Sequence, residues 1–204
     1  MGGVIVSSDV VHAPSPKTER RTHIEVVPRR ALPLVGAIVL FVALSIGFNW
    51  RWALIFNHVV GGGLWTGIDL FVGLVIGPIL GRLSPQARAE FSARFMPKMV
   101  VIMPTVVLMT LATGFQVARA LGNLSASNPN HVWLVVSFCV VGIMAVIALG
   151  VLEPANIAVI YEMNQPEPNA ARIGRLMKRF IYTAGVTGVM QIATLIIMTR
   201  IGSR

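Results

Sequence analysis

The sequence predicts an all-α integral membrane protein with five transmembrane helices, arranged as a four-helix core bundle plus one N-terminal helix. Two observations support this fold class. Hydrophobic residues make up 55% of the 204 residues and only 12% are charged, which is about half the charged fraction of an ordinary soluble domain. Long stretches of the chain also lack charged side chains almost entirely, and a helix needs about 20 apolar residues to cross a bilayer.

These stretches place the five helices in order along the chain. The first three are predicted at 31–49, 53–81 and 96–121, and the last two at 131–153 and 176–200. Within the second stretch, Asp69 is the one charged residue. Asn130 is the predicted N-cap of the fourth helix, and Glu153 and Pro154 mark its end or a bend. We expect 155–163 to lie along the membrane interface, and 31–204 to form one helical domain.

The net charge of +9 is distributed in a way that argues against nucleic-acid binding. Thirteen of the 17 basic residues precede the first helix, lie between the second and third helices, or precede the fifth helix. This alternation between basic and nearly uncharged connections is the positive-inside pattern of membrane proteins. It predicts a cytoplasmic N-terminus, a C-terminus on the periplasmic or extracellular side, and no nucleic-acid partner.

Residues 1–30 are predicted to be a flexible cytoplasmic tail, with one short ordered piece near 23–27. The charged region is too long for a secretory signal peptide, and no small-residue cleavage site follows the first apolar run. The first helix is therefore expected to remain as an anchor. The single cysteine, Cys139, lies within the fourth helix and cannot form an intrachain disulfide.

Glycine spacing predicts where helices pack closely. Small residues recur near every fourth position of the second helix, and Ala184 and Gly188 have the same spacing in the fifth. Such faces let helix backbones approach in lipid, either within the bundle or against partner membrane proteins or a second copy of the chain. The Gly61–Gly63 triplet has the same packing interpretation, with a flat cofactor against bare backbone as the alternative. The second-helix positions are Gly63, Gly67, Gly73, Gly77 and Gly81.

Four residues of the second helix lie on one stripe, because His58, Gly62, Trp65 and Asp69 are spaced at i, i+4, i+7 and i+11. The rise from His58 to Asp69 is about 16 Å, which places His58 near the outer surface and Asp69 near the bilayer centre. An ionised carboxylate there costs on the order of 3 kcal/mol, so Asp69 is a candidate proton-exchanging group. The alternative is a structural hydrogen bond to a neighbouring helix, with four candidate partners: Thr105, Thr110, Thr113 and Gln191.

His131 begins the fourth helix, which is predicted to run in the same direction as the second. We therefore expect His58 and His131 at similar depth, where two imidazoles could ligate a b-type haem or a copper ion. The alternative is that both are ordinary interfacial residues at helix starts, because two ligands without fixed geometry are a weak metal signal. A protein without any cofactor is also compatible with the sequence.

The remaining polarizable and charged groups favour structural roles. Glu153 is expected near the cytoplasmic surface, paired with Arg82 or Lys98. Three methionines on one helical face could suit Cu(I), but packing is the favoured interpretation because methionine is an adaptable gap filler. These are Met96, Met99 and Met103. The sequence contains no phosphate loop or nucleotide fingerprint, so any chemistry is expected within the bundle.

The second helix carries a histidine near its start, then small residues, then Trp-x-Gly and an aromatic residue. HVVGGGLWTGIDLF resembles the first core helix of the HemJ-type protoporphyrinogen oxidases and of the CopD-type copper-resistance membrane proteins. WALIFNHVVGGGLW is also similar to the membrane domain of some bacterial urate oxidases. The later core helices are matched by RFMPKMVVIMPTVVLMTLATG, HVWLVVSFCVV and RFIYTAGVTGVMQIATLII, so the resemblance spans roughly 53–200.

This resemblance implies a multi-pass protein of the bacterial cytoplasmic (inner) membrane, in which His58 binds haem or takes part in catalysis. His131 is followed by Val132, whereas a lysine closely follows the third-core-helix histidine of the HemJ type. The leading prediction is therefore haem b or metal binding near the outer leaflet, with His58 and His131 as ligands and Trp65 and Gly62 beside the cofactor. A small proton-coupled transporter using Asp69, or a non-catalytic assembly subunit, are the alternatives.

Overall fold

The computed structural model describes residues 23–203, which form helices and connecting turns without a strand. The tail prediction for 1–22 lies outside the described residues. After a 3-10 turn at Arg29–Ala31, five helices follow. All five are long and apolar enough to cross a membrane, so the predicted fold class, an all-α membrane protein, is confirmed. They are α1 (Leu32–Gly47), α2 (Arg51–Arg82), α3 (Pro85–Ala120), α4 (His131–Met163) and α5 (Ala170–Gly202).

Two helices begin earlier than the hydropathy pattern predicts. The α3 helix begins at Pro85 instead of 96, because Ser84 Oγ accepts a hydrogen bond from the Ala87 amide (3.2 Å) and Pro85 suits the first turn. The α5 helix begins at Ala170 instead of 176, with Asn169 as its N-cap. A helix of 36 residues is about 54 Å long, so α3 extends beyond the hydrocarbon core, where its first turns tolerate charged side chains.

Two helices contain a π-helical turn, at Val72–Ile76 in α2 and at Ala148–Leu152 in α4. Each turn is followed within two residues by a proline, Pro78 or Pro154. A proline cannot donate to the carbonyl one turn earlier and its ring crowds that carbonyl, so a wider turn relieves the conflict. The α4 helix consequently continues through 155–163 instead of ending at Glu153.

Helices α2 to α5 pack around one shared core. Helix α3 packs against α2 and the second half of α4, while α5 packs against both α2 and α4, and α1 lies outside against α2 and α3. The largest buried side chains include Met96, Met144 and Phe180. Met96, Met99 and Met103 all belong to the hydrophobic core, as the packing interpretation predicts.

The predicted glycine contacts are partly internal to the bundle. A Cβ added at Gly73 would lie 2.5 Å from the Gly185 Cα, and one at Gly188 would lie 3.0 Å from Leu70 Cδ2. Helices α2 and α5 therefore cross almost backbone to backbone. By contrast, Gly63 and Gly67 have nothing within 4 Å of an added Cβ, so this part of the predicted face does not pack within the chain.

Apolar side chains cover the outside of the bundle, as contact with lipid requires. Val132 and Val146 are among the most exposed large hydrophobic residues. At the turn between α1 and α2, Trp52 stacks on Phe56 with ring centroids 5.2 Å apart. Aromatic clusters of this kind are typical of a membrane–water interface.

Candidate functional site

The carboxyl group of Asp69 lies between α2 and α5. It is 1% exposed, and its Oδ2 accepts hydrogen bonds from Thr187 Oγ1 (2.8 Å) and Gln191 Nε2 (2.9 Å). Within residues 23–203 the one ion pair joins Arg172 to Glu162, so no cation neutralises Asp69. A carboxyl in the bundle interior is thus held by two neutral donors from successive turns of one helix.

Of these two partners, Gln191 was a predicted candidate and Thr187 was not. The three other candidate partners donate instead to carbonyls of their own helix, with Thr113 Oγ1 2.6 Å from the Met109 oxygen. Which α5 residues meet Asp69 depends on the register between α2 and α5, and the Gly73–Gly185 crossing fixes that register. The i, i+4 spacing of Thr187 and Gln191 is the sequence signal that identifies the pair.

Both partners of Asp69 can exchange donor and acceptor roles. The Thr187 hydroxyl also lies 3.1 Å from the Thr183 carbonyl oxygen and 3.0 Å from that of Ala184. Either carbonyl can accept its hydrogen bond in place of Asp69. The Gln191 Oε1 atom is buried and accepts no hydrogen bond. Because an amide turned over presents an acceptor where it presented a donor, the site can satisfy a carboxylate or a carboxylic acid.

Trp65 lies one turn before Asp69 and forms a wall of the same site. Its side chain is 2% exposed. The indole N–H lies near the Asp69 carboxyl group and is buried without a hydrogen-bond partner. The aromatic ring and the surrounding apolar side chains shield this carboxyl from water.

The other half of the predicted stripe faces a different helix. His58 Nδ1 lies 3.0 Å from the Thr110 carbonyl oxygen of α3, and its ring packs against Gly114, where an added Cβ would come within 2.5 Å of Cε1. Gly62 also faces Thr110, at 3.7 Å from an added Cβ to Cγ2. Because a carbonyl only accepts, Nδ1 is the donor in this contact, and a neutral ring would leave Nε2 its lone pair.

His131 lies at another helix contact, where α4 meets the end of α5. The neighbouring Asn130 donates to the Ile201 carbonyl oxygen (3.5 Å), and Arg200 lies over the Trp133 ring, 5.1 Å from its centroid. Asn130 is the N-cap residue of α4, as predicted, but its side chain makes no cap hydrogen bond to the helix. The His131 Nδ1 atom is buried without a hydrogen-bond partner.

The structure therefore gives the two histidines separate surroundings. His58 contacts α3, whereas His131 begins α4 beside residues that contact the end of α5. Across the described part of the chain, no group of three or more His, Cys, Asp or Glu residues could hold a metal ion. His58 could therefore supply one imidazole ligand to a metal at this place. No hydrogen bond links His58 to His131.

A second buried acid, Glu153, lies in α4. It is 9% exposed, and neither carboxyl oxygen has a partner within hydrogen-bond limits, although the Asn156 side chain lies close by. The predicted ion pair with Arg82 or Lys98 is wrong, since neither cation reaches it. Asp69 and Glu153 thus each lie beside a π-helical turn, and both π-helical turns pack against α5.

Comparison of the chain with protein families, with curated proteins and with solved structures finds no match. The resemblance to HemJ-type and CopD-type proteins accordingly stays a prediction.

Proposed function

We propose that this protein is a small proton-coupled membrane transporter in which Asp69 carries the coupling proton. The observation that carries the proposal is the pair of neutral α5 donors on one oxygen of a fully buried carboxyl. An ionisable residue inside a membrane bundle marks a functional site by default. Here its partners suit both protonation states, which a proton carrier needs and a purely structural carboxylate does not.

The geometry next to Asp69 supplies a means of coupling. The π-helical turn Val72–Ile76 begins three residues later, and Gly73 touches Gly185 within it. Protonation of Asp69 changes its hydrogen bonds to α5 and so biases two arrangements of α2 against α5. Interrupted helices at mid-membrane are a recurrent feature of transporter binding sites.

In this proposal Glu153 is a second proton-exchanging residue. It follows the second π-helical turn, on the side of that turn towards the end of α4. In this proposal a proton that leaves Asp69 would pass to Glu153, a second buried carboxyl without a cation beside it. With the charge asymmetry of the connections, the proposal places the N-terminus in the cytoplasm and the protein in a bacterial inner membrane.

Proton movement in proteoliposomes tests the proposal. Protein is reconstituted with a pH-sensitive dye inside, a pH gradient is imposed, and small hydrophilic solutes are added in turn. We expect at least one solute to accelerate collapse of the gradient, and Asp69→Asn to abolish that effect while the helical content is retained. Glu167→Gln, which changes an exposed acid at the α4–α5 connection, is the matched control. Wild-type rates in Asp69→Asn would refute the proton-carrying role.

A second candidate function is haem b or copper binding at His58, with redox or metal handling as its purpose. The observation that favours it is the Nδ1 bond to the Thr110 carbonyl (3.0 Å), because metal-ligating histidines commonly fix their second nitrogen in this way. His58 would hold the metal through Nε2, and a bound haem would supply one-electron chemistry.

Absorption spectra with metal analysis of the purified protein test this second candidate. Protein from haem-replete cells should show a Soret band that His58→Ala abolishes. His131→Ala is the informative comparison, since loss of the band in both variants would show that the two histidines act together. Colourless, metal-free wild-type protein would exclude the function.

A further inference from the structure

A groove runs along the outside of the bundle between the second half of α2 and the first half of α5. Its volume is about 940 Å³. The walls are mostly apolar, with Leu74, Pro78 and Ile181 among the lining side chains, and glycines of both helices form much of the floor. The groove is therefore shaped for an extended apolar chain lying close to the backbone.

Two cations stand at one end of this groove, Arg88 from α3 and Lys178 from α5. Arg88 Nε donates to the Leu80 carbonyl (3.1 Å) and Nη2 to that of Leu83 (3.3 Å). These bonds fix the guanidinium and leave Nη1 beside Gly174, 3.8 Å from the position of an added Cβ. The guanidinium is thus held in place with one nitrogen turned towards the groove wall.

Lys178 is exposed, and its Nζ lies 5.6 Å from the centroid of the Tyr182 ring. Neither Lys178 nor Arg88 forms an ion pair, since the single ion pair in the described chain lies elsewhere. The residues that line the groove include no Asp or Glu. The groove thus combines an apolar channel with two uncompensated positive charges and an interfacial tyrosine.

We propose that this groove binds an anionic phospholipid, with its phosphate between Arg88 and Lys178 and an acyl chain along the glycine-lined walls. Basic pockets between membrane helices are suited to anionic head groups, and the remaining Nη1 of Arg88 can donate charge-assisted hydrogen bonds to phosphate oxygens. Charge complementarity selects this occupant. A partner helix seated here would need an acid opposite the two cations, and a zwitterionic lipid would bring its own cation to them.

Lipid binding by the full-length protein in detergent, measured by native mass spectrometry, tests the proposal. Phosphatidylglycerol and phosphatidylcholine of the same acyl composition are added at equal concentration. We expect preferential retention of phosphatidylglycerol. Lys178→Gln should weaken that retention about fivefold, as expected for one interfacial charge. This substitution leaves Arg88 and its bonds to α2 intact, so the fold is not at risk.

A pair of glycine substitutions tests the apolar part of the groove. Gly81 lines the groove and has nothing within 4 Å of an added Cβ, so Gly81→Leu fills the channel without a backbone clash. Gly67 has equal space on the same helix but does not line the groove. We expect Gly81→Leu to lose phosphatidylglycerol retention and Gly67→Leu to keep it.

Several outcomes would overturn the proposal. Equal retention of the two lipids would remove the role of the cations, and full retention in Gly81→Leu would remove the groove. Displacement of the lipid by an equal concentration of glycerol phosphate would indicate a site for free anions. A dimer that Gly81→Leu abolishes would assign the groove to a second copy of the chain.

Discussion

Replacing Gly73 by alanine should separate α2 from α5 beside Asp69. The added Cβ would lie 2.5 Å from the Gly185 Cα and 3.0 Å from its amide nitrogen, whereas carbon atoms normally approach to about 3.5–4.0 Å. The two helices must therefore move apart by about 1 Å. That movement stretches both hydrogen bonds to Asp69, of 2.8 and 2.9 Å, beyond the range in which they stabilise the fold.

The expected net cost is a few kcal/mol. Overpacking costs about 1–3 kcal/mol, and each hydrogen bond lost between membrane helices adds about 0.6 kcal/mol. The better helix propensity of alanine returns about 1 kcal/mol. We expect Gly73→Ala to lower the free energy of unfolding by about 2 kcal/mol in total.

Unfolding of the purified protein in mixed micelles, followed by circular dichroism as denaturing detergent is added, measures this effect. Gly67→Ala is the matched control, because the same substitution on the same helix meets nothing within 4 Å. It should be neutral or stabilising by up to about 1 kcal/mol. If the two variants have the same stability, the α2–α5 crossing does not have the closeness on which the account of Asp69 depends.

Three further variants test other parts of the structure. Ser84→Ala removes the N-cap bond to Ala87 and should destabilise the protein by about 1 kcal/mol in the same assay; an unchanged midpoint would contradict the early start of α3. Glu153→Leu removes a buried carboxyl without hydrogen-bond partners and should stabilise the fold by about 1–3 kcal/mol, so a loss of stability would reveal a partner. Asn164→Ala removes both hydrogen bonds to Ile24, each of 2.9 Å, and should speed proteolysis near 23–30. Unchanged cleavage would show that other contacts hold that segment.

Hydropathy was sufficient to find the membrane helices because each must present about 20 apolar residues to lipid. It did not locate the helix ends, since a helix that projects into the interface no longer has to be apolar there. The first turns of α3 contain Arg88 and Arg94, and these charges removed them from the predicted helix. The Ser84 cap was the local signal for the true start.

The stripe on α2 shows what helical periodicity can and cannot predict. Spacing alone placed His58, Gly62, Trp65 and Asp69 on one side of α2, but not which helices they face. In the structure His58 meets α3 and Asp69 meets α5. The difference arises because several helices pack around α2 and no periodicity within α2 encodes their register.

The predicted partner of Glu153 failed for a related reason. A buried acid near a basic connection suggests an ion pair, but neither Arg82 nor Lys98 forms one in the described chain, and Arg88 of the same connection donates to the Leu80 and Leu83 carbonyls. For an arginine, hydrogen bonds to nearby free carbonyls at a helix end can thus be more favourable than an ion pair with a distant carboxylate. The sequence shows which charged side chains are present. It does not show which backbone carbonyls compete with a carboxylate for their N–H groups.

The most direct test of the central claim is infrared difference spectroscopy of the carboxyl groups as pH is varied, on wild-type protein and Asp69→Asn in membranes. We expect a band from a protonated carboxyl that appears and disappears reversibly in the wild type and is missing from Asp69→Asn. Thr187→Val, which removes one of the two donors to Asp69, should shift that band. If wild type and Asp69→Asn give the same difference spectrum, Asp69 does not exchange a proton and its role is structural.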